Sequence, residues 1–363
     1  MNRHGTNTRA LEASFLILSA IGFTLLWPMM MYNGTLVSLL KAAWGGAFPD
    51  GRPLRTTYTG FFPLDFALSI LVAFFNDQVN GTNDGAWLLM LDLLATLQIA
   101  SLWTLCEANR KVQSRSLLRL FVLWPLLWNM FGAAVILPIY FYVLIRSTDP
   151  KGTAAVFSTP HSEYLLPTAT ATAIVPALVM LFGYKFATDS VLHGIIASFQ
   201  VSPLALLALG KILSQITSKG SDVALKSDSS DKGVLFTYLS GAILSAGAHL
   251  YTLFVTLRSP EDAVNFRATF IPSPFSVIAG SKSNIHDGAL LFLQYDWLVV
   301  NLACALWSFH LAIAHQLFAT RREISLGVLL LATVLIGPGA SVSCVLWLRE
   351  KHLQARYQKM NSL

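Results

Sequence analysis

Charged residues and cysteines are scarce in this sequence. Only 12% of the 363 residues are charged, about half the share of an average soluble domain, whereas 54% are hydrophobic. This composition excludes an ordinary soluble fold. The net charge of +6 does not indicate nucleic-acid binding, because the basic residues lie between apolar runs and form no patch interleaved with aromatics. Cys106, Cys304 and Cys344 lack metal-site spacing and are predicted to be buried packing residues.

Several catalytic motifs are also missing. The sequence has no Gly-rich phosphate loop, no HExxH, no GxSxG and no Asp-rich DDxxD-type cluster that would bind a magnesium diphosphate. These absences disfavour a mechanism that begins by ionising a diphosphate. The sequence therefore predicts neither a metal nor another cofactor.

Long apolar runs recur along the whole chain, and a run of about twenty residues is what a membrane-spanning helix requires. The sequence predicts an all-α transmembrane bundle in one integral membrane domain, 1–363. About nine spans are expected, or eight if the short second run does not cross. The predicted spans are 12–36, 61–76, 86–106, 118–145, 164–186, 190–214, 234–257, 289–316 and 325–348.

Two connections are long. Residues 218–233 are polar and Ser-rich, which predicts a flexible loop. Residues 259–288 contain an apolar stretch with two prolines, so this loop is expected to lie on the membrane surface or to cap a cavity. Pro338, between two glycines, is expected to break or kink the last helix. No sequence repeat and no inverted pair of broken helices is recognisable.

The distribution of Lys and Arg predicts the orientation. More than half of the 25 basic residues, including Arg258, Lys282 and Arg349, are predicted to fall on the side of the C-terminus. This predicts a cytosolic C-terminus and, with nine spans, a lumenal N-terminus in the endoplasmic reticulum. Arg3 and Arg9 argue against that N-terminal location. The connection 77–85 has no Lys or Arg and is predicted to be lumenal, so Asn80 is a candidate glycosylation site, whereas Asn33 would face the wrong side.

Four carboxylates fall within predicted spans, where an ionisable side chain costs about 3 kcal/mol to insert. The candidate catalytic residues are Asp65, Asp92, Glu107 and Asp296. Three have a structural alternative: Glu107 is near basic residues and suits a solvated interface, Asp92 suits a hydrogen bond to a neighbouring helix, and Asp65 suits stabilisation of a helix N-terminus. Asp296 is the strongest functional candidate.

Aromatic side chains accompany two of these acids. At 100° per residue, Asp296 shares a helix face with Trp307 and His310, and Asp92 shares another face with Trp103. The candidate substrate-binding residues are Trp103, Tyr295, Trp297, Trp307 and His310.

The predicted orientation places Asp65, Glu107 and Asp296 in one leaflet. A buried carboxyl group can stay protonated and donate its proton, and aromatic faces can stabilise a developing carbocation. This combination suits the acid-initiated cyclisation of a lipophilic substrate, and it equally suits a proton-coupled transporter. His249 shares a face with Tyr238, which suits a polar cavity, although packing histidines are commoner.

Several segments resemble a family of fungal membrane proteins that includes the membrane-bound terpene cyclases of ascofuranone and ascochlorin biosynthesis. The resembling segments, in chain order, are Tyr58-Thr59-Gly60-Phe61-Phe62-Pro63-Leu64-Asp65, Leu71-Val72-Ala73-Phe74-Phe75, Tyr164-Leu165-Leu166-Pro167, Gln294-Tyr295-Asp296, Gly337-Pro338-Gly339-Ala340 and Trp347-Leu348-Arg349-Glu350. They extend across most of the chain, and their shared order makes the resemblance more specific than any one of them.

The resemblance implies cyclisation of an epoxidised farnesyl chain on an aromatic, polyketide-derived core, without a metal. In such a reaction a carboxylic acid protonates the epoxide and a base removes the final proton. Asp65 and Asp296 lie in resembling segments and are the implied acid and its partner or base, whereas Glu107 lies outside them.

The leading hypothesis is thus a terpene cyclase whose partners are the lipid bilayer and a lipophilic, prenylated small molecule. The alternatives are a small exporter of such a metabolite and a non-catalytic membrane scaffold for neighbouring enzymes. A scaffold would not need the buried acids. A transporter would more often show internal repeats and paired broken helices.

Overall fold

The computed structural model describes residues 3–109, 116–147, 165–206, 209, 227–260, 264–317 and 322–361. Throughout these ranges the regular structure is helical, apart from one isolated bridge between Ala47 and Pro53. The all-α prediction is confirmed for this part of the chain.

Twelve helices of eight or more residues build the described bundle. They are α1 (Arg3–Tyr32), α2 (Thr35–Gly45), α3 (Phe62–Val79), α4 (Asp84–Ala108), α5 (Leu123–Phe131), α6 (Ala133–Ser147), α7 (Leu165–Lys185, with a π-helical turn at Thr170–Ile174), α8 (Asp189–Val201), α9 (Ser227–Arg258), α10 (Asn284–Ala314), α11 (Arg322–Ile336) and α12 (Pro338–Asn361). Ser116–Arg119 and Phe266–Phe270 form short helical turns.

Six of these helices are long and apolar enough to cross a membrane: α1 from Leu11 onwards, α3, α4, α7, α9 from Lys232 onwards, and α10. The predicted count of about nine spans is not confirmed. Two predicted spans, 118–145 and 325–348, are each split by a glycine into two helices.

Hydrogen bonds between helix ends identify the two ends of the bundle. At one end, which we call the upper end, the Gln78 side chain at the end of α3 donates to the backbone carbonyl of His286 on α10 (3.2 Å). The Asn83 side chain, which caps α4, lies 3.3 Å from the His286 imidazole. At the other, lower end, α4 finishes with Glu107, which contacts Tyr238 of α9 and Arg349 of α12.

The segment 118–145 is a helical hairpin, not one span. The rings of Trp124 in α5 and Tyr140 in α6 are 5.3 Å apart, whereas a straight helix would separate these residues by about 24 Å. The chain therefore reverses at Gly132, whose φ of 91° favours glycine. We call this segment, α5 and α6, the first hairpin.

The segment 325–348 reverses in the same way, at Gly337 with φ of 87°. Thr333 Oγ1 of α11 and Ser341 Oγ of α12 lie 3.4 Å apart across the turn. The sequence predicted a break or kink at Pro338, and the structure has the stronger form of it, a reversal with Pro338 as the first residue of α12. We call α11 and α12 the second hairpin.

The second hairpin enters the bundle from the lower end. Helix α10 has 31 residues and is about 46 Å long, so it ends at the lower end, and the short connection 315–321 reaches at most about 29 Å. Helix α11 must therefore rise alongside α10. Helix α12 then descends, because Gly339 faces Thr96 in the middle of α4 and Arg349 contacts Glu107 at its end.

This topology corrects two expectations. Asn284 donates to the Asn33 backbone carbonyl (3.1 Å), so α1 ends at the upper end and starts at the lower end, where α12 also finishes. The prediction of termini on opposite sides is wrong, because α1 and α3 both end at the upper end, so the chain returns towards the lower end between two spans that were predicted to cross in opposite directions. The structure also contains two broken helices that the sequence did not reveal, and both enter from the lower end.

The structure also changes the end of the bundle to which two basic residues are assigned. Arg258 ends α9, whose Thr252 faces Leu88 near the start of α4, so Arg258 lies at the upper end. Lys282 adjoins the start of α10 and lies there too. The sequence had assigned both to the same side as Arg349. The predicted orientation therefore loses part of its basis.

The structure also bears on the predictions for the two long loops and for the cysteines. Residues 218–226 lie outside the described residues, and 227–233 are helical, as the first turns of α9. The described part of 259–288 packs beside α4 and α10 and leaves Phe275 95% exposed. Cys344 is exposed, in contrast to the prediction that all three cysteines are buried.

Candidate active site

Asp296 lies in the middle of α10, where the N-terminus of α6 meets it. Its Oδ1 accepts a hydrogen bond from the Ala134 backbone N–H, and the Ala133 N–H also points at the carboxylate. The first amides of a helix have no partner within the helix and carry partial positive charge. Because α6 begins after the reversal at Gly132, these amides are free to hold Asp296, which is 3% exposed.

Asp296 forms part of the wall of an apolar cavity of about 170 Å³. The cavity lies among α1, α2, α3, α4, α5, α8 and α10, and most of its wall is aliphatic or aromatic. Its aromatic residues are Trp27, Phe74, Phe75, Trp128, Phe199 and Phe292. The rings of Phe74 and Phe292 meet edge to face at 5.0 Å. The site therefore combines one carboxyl group with several aromatic faces.

Asp92 has different surroundings. Its carboxylate lies 2.9 Å from His249 Nδ1 and accepts a hydrogen bond of 2.8 Å from Trp297 Nε1. His249 Nε2 lies 3.0 Å from the Val334 carbonyl near the end of α11. A carbonyl only accepts, so Nε2 carries a hydrogen, and one further proton is shared between Nδ1 and Asp92.

This buried cluster is separate from the cavity. Met90, Leu93 and Leu94 of α4 line the cavity, whereas Asp92 points towards α9 and α11. Asp92 and His249 therefore fasten the top of the second hairpin to α4 and α9, where they satisfy a carbonyl that the end of α11 leaves without a helical partner.

Glu107 belongs to a buried ionic network at the lower end. Arg349 bridges Glu107 and its own neighbour Glu350, and the Tyr238 hydroxyl donates to Glu107 (3.1 Å). Glu107 is 3% exposed, so a solvated interfacial position does not describe it. Helix α4 thus carries an acid that is already bound to a guanidinium.

Asp65 holds the loop that precedes its own helix. Its carboxylate accepts hydrogen bonds from the backbone N–H of Thr59 (2.7 Å) and Gly60 (3.0 Å), and from the Thr59 hydroxyl (2.8 Å). The nearby Tyr58 hydroxyl donates to a backbone carbonyl, and burial raises the pKa of Tyr58 to about 12. These contacts match the structural alternative for Asp65, stabilisation at the start of a helix.

The structure does not group the acids as the sequence predicted. Asp296 lies about 18 Å along α10 from its upper end, at the depth of Asp92, because the adjacent Trp297 bonds to Asp92. Glu107 lies at the lower end, and no described hydrogen bond joins Asp65 to another of the four acids. The prediction of one leaflet for Asp65, Glu107 and Asp296 is not confirmed, because α10 starts at the upper end, whereas α3 starts and α4 finishes towards the lower end.

The predicted aromatic residues lie outside the described cavity wall. Trp103 donates to Ser343 Oγ (2.9 Å), and Trp297 donates to Asp92. The Trp307 ring stacks on Phe141 at 5.1 Å, and His310 stacks on Trp307 at 5.5 Å. Tyr295 is partly buried. On α10 the cavity wall is formed by Phe292, Leu293 and Asp296, whereas Trp307 and His310 lie lower on this helix.

Sequence reasoning missed the residues that do line the cavity. Phe74 and Phe75 carried a signal, because they belong to a segment that resembles the terpene cyclases. Trp27 and Trp128 had none, since nothing in the sequence shows that α1 and the first hairpin approach Asp296. The shared face of His249 and Tyr238 suited a polar cavity, with a packing role for His249 as the commoner alternative. In the structure each of them bonds an acid of α4.

Other resembling segments have structural explanations. Gln294 donates to the carbonyls of Ala268 (2.6 Å) and Thr269 (3.1 Å), which holds the 264–283 loop against α10. Gly337 forms the top of the second hairpin, and Arg349 supplies the cation for Glu107. In the described part of the chain, no group of three or more His, Cys, Asp or Glu residues could hold a metal ion.

Comparisons with known proteins identify relatives over nearly the full length. The model of the CtvD domain matches residues 11–354. The terpene cyclase DEP1 of Alternaria brassicicola is 30% identical over 93% of this chain and 98% of its own length. The terpene cyclase DEP1 of Fusarium langsethiae is 29% identical over 94% and 99%. The terpene cyclase ascI of Acremonium egyptiacum is 25% identical over 83% and 77%. No solved structure matches this chain.

Proposed function

The chain belongs to the CtvD-domain family, and we propose that it is a membrane-bound terpene cyclase of fungal secondary metabolism. The observation that carries the proposal is Asp296, held by a helix N-terminus in the wall of an aromatic cavity. Relatives named terpene cyclases match almost the whole chain. The substrate that we propose is an epoxidised farnesyl chain attached to an aromatic core, and the reaction needs no metal.

In the proposed reaction, protonated Asp296 donates its proton to the epoxide oxygen. The carbon–oxygen bond breaks, its electron pair stays on the oxygen as a hydroxyl group, and an alkene of the chain supplies the electron pair that closes the ring. The Ala134 amide then stabilises the carboxylate that remains. Asp296 is thus the group whose charge changes in the step, and the protein places a fixed dipole where that charge develops.

The cavity wall suits the carbocation that follows. Aromatic faces attract a cation without donating a nucleophile, and Trp27, Trp128 and Phe292 surround the space next to Asp296. An apolar wall also excludes water, which would otherwise capture the cation. The final proton has a nearby acceptor in the Asp296 carboxylate. Asp65 as the partner acid or base stays a prediction, and its contacts favour a structural role.

The size of the cavity adds a condition. Its 170 Å³ is below the roughly 300–1,000 Å³ of typical ligand sites. A farnesyl chain therefore enters only if the surrounding side chains move apart, and the first hairpin is the element that borders both the cavity and Asp296.

A transporter is the second candidate, and the two hairpins favour it. Half-helix ends at mid-depth are a feature of many transporter binding sites. Both hairpins enter from the lower end, however, whereas inverted repeats would bring one from each side. Asp92 and Glu107 are each bound to a basic side chain, which leaves Asp296 as the acid in the cavity wall. These features favour the cyclase.

Expression in a fungal host that is supplied with a panel of farnesylated aromatic epoxides tests the proposal. The wild type should give cyclised products, Asp296→Asn should not, and Asp287→Asn on the same helix but outside the cavity should behave like the wild type. If the wild type cyclises none of the panel but changes the export of a prenylated aromatic compound, the transporter replaces the cyclase.

A further inference from the structure

Asn129 lies in the cavity wall together with Asp296. Apart from these two residues and the indoles of Trp27 and Trp128, the described wall is made of apolar side chains and glycine. Trp27 Nε1 already donates to the Phe131 carbonyl (3.0 Å). The cavity thus offers one acid, one carboxamide and the indole of Trp128.

The first hairpin brings the two groups to the same place. Asn129 is in the last turn of α5, just before the reversal at Gly132, and Ala134 in the first turn of α6 holds Asp296. Both polar groups therefore lie near the top of this hairpin, on the cavity that it borders.

The carboxamide of Asn129 forms no side-chain hydrogen bond within the described part of the chain. Two other asparagines do have partners for their amides: the partly buried Asn301 donates to the Trp297 carbonyl (2.8 Å), and the buried Asn284 donates to two carbonyls. The amide nitrogen of the buried Asn33 has none. A polar group that faces an apolar space without a partner is costly. A ligand with an oxygen atom at this position would supply the missing partner.

We propose that Asn129 is a substrate-binding residue whose amide N–H donates to the ring oxygen that Asp296 protonates. The inference rests on the proposed function, since it concerns the same oxygen. An epoxide oxygen has two lone pairs, so it can accept from Asp296 and from Asn129 together. After the ring opens, the same amide stays bonded to the new hydroxyl group. Asn129 thereby fixes which end of the prenyl chain faces the acid.

The test is a binding measurement with two matched probes on the purified full-length protein. One probe is a farnesyl chain that ends in an oxetane, which keeps a ring oxygen but opens much more slowly than an epoxide. The other probe ends in a cyclobutane of the same shape. Ligand-induced thermal stabilisation gives the two affinities for each variant.

The wild type should prefer the oxetane to the cyclobutane, since both Asp296 and Asn129 donate to the ring oxygen. Asn129→Leu should lower this preference about fivefold, the amount expected of one hydrogen bond, by weakening oxetane binding alone, and Asn301→Leu, outside the cavity, should keep it. Asn129→Ala repeats the test should the leucine variant not fold. Undiminished preference in a folded Asn129 variant, or no preference in the wild type, would overturn the inference.

Epoxide turnover, measured in parallel, separates this inference from the proposed function. If the wild type discriminates between the probes through Asn129 but cyclises no epoxide, the binding role stands and the cyclase proposal fails. If the wild type cyclises epoxides while Asn129→Leu keeps both turnover and discrimination, the cyclase stands and the role of Asn129 is wrong.

Discussion

The two hairpins have the same construction and serve different ends. Each enters from the lower end, reverses at a glycine with positive φ and brings a helix terminus close to a buried aspartate of the central helices. The first hairpin presents the N-terminus of α6 to Asp296, whose carboxylate also faces a cavity. The second presents the C-terminus of α11 to His249, which is bound to Asp92 and faces no described cavity.

The difference shows what makes a buried acid available for chemistry. Asp92 is paired with an imidazole and an indole, so its proton is already shared within the protein. Asp296 has backbone amides as its described hydrogen-bond donors, and these hold it without neutralising it. A buried acid is thus a catalytic candidate when its partners leave it a face towards ligand space, and a structural element when they do not.

Replacement of each aspartate by asparagine should give the largest difference in turnover between the two hairpins. Asp296→Asn keeps an oxygen for the Ala134 amide but has no proton to donate, so product formation should fall by about 10²- to 10⁴-fold with little change in thermal stability. Asp92→Asn can still accept from Trp297 and donate to His249 Nδ1, so its turnover per folded molecule should stay near wild type. Equal losses in both variants would contradict the assignment of separate roles.

Breaking the Asp92 cluster should affect stability instead of turnover. Asp92→Leu leaves the imidazole and the Trp297 indole without their acceptor, and His249→Leu leaves a carboxylate buried. Each should lower the free energy of unfolding by about 3–5 kcal/mol. Thermal unfolding in detergent measures this loss. The double variant should be less destabilised than the sum of the two single variants, and strict additivity would show that the residues do not interact.

Alanine substitutions of the two glycines at the reversals should also distinguish the two hairpins. Their effects should be smaller than those of the substitutions in the Asp92 cluster. A methyl group at either position requires an unfavourable positive φ, which costs about 1–2 kcal/mol, and at Gly132 it would also approach Leu26 within 2.5 Å. Gly132→Ala should lower both turnover and stability, because it shifts the amides that hold Asp296. Gly337→Ala should lower stability alone, as measured by turnover per folded molecule.

Asp65→Asn should have a still smaller effect on turnover. The amide keeps one acceptor oxygen for the Thr59 contacts and loses the second acceptor that Gly60 uses. We expect turnover within about fivefold of wild type, as for a substitution that only loosens a loop. A loss as large as that of Asp296→Asn would restore Asp65 to the catalytic role that the resemblance implies.

Glycosylation of Asn80 would report which end of the bundle lies in the lumen, and this test does not depend on catalytic activity. Asn80 lies at the upper end in a partly exposed turn, whereas Asn33 is buried there and bonded to Thr35. In a fungal membrane preparation, a glycosidase-sensitive gel shift should disappear in Asn80→Gln and persist in Asn33→Gln. This result would place the upper end in the lumen and the openings of both hairpins, with both termini, in the cytosol.

Some of this could be predicted from sequence because it depends on single residues in a local pattern. Apolar run length identified α1, α3, α4, α7, α9 and α10, since the absence of water in the bilayer core demands continuous helices. The cost of an ionisable group in a span identified Asp296. Gly337 and Pro338 predicted a break in the helix. The size of the change in direction depends on the packing of α11 against α10, which no local pattern shows.

The cavity could not be predicted, because seven helices from distant parts of the chain form its wall. A helical wheel shows which residues share a face with Asp296, and it selected Trp307 and His310. The side of α10 that meets empty space is set by where the first hairpin ends, and this follows from contacts such as Trp124 with Tyr140. Tertiary packing therefore decides that Phe292, and not Trp307, lines the cavity.

The sequence by itself determined that the chain forms helices long and apolar enough to cross a membrane, with acids within them, because composition and run length act residue by residue. It also carried the segments that the family shares. The tertiary structure decided which of these acids faces the cavity. Asp92, Glu107 and Asp296 are equally expensive to bury, and only the neighbours that packing brings to them distinguish a paired carboxylate from one that faces a cavity.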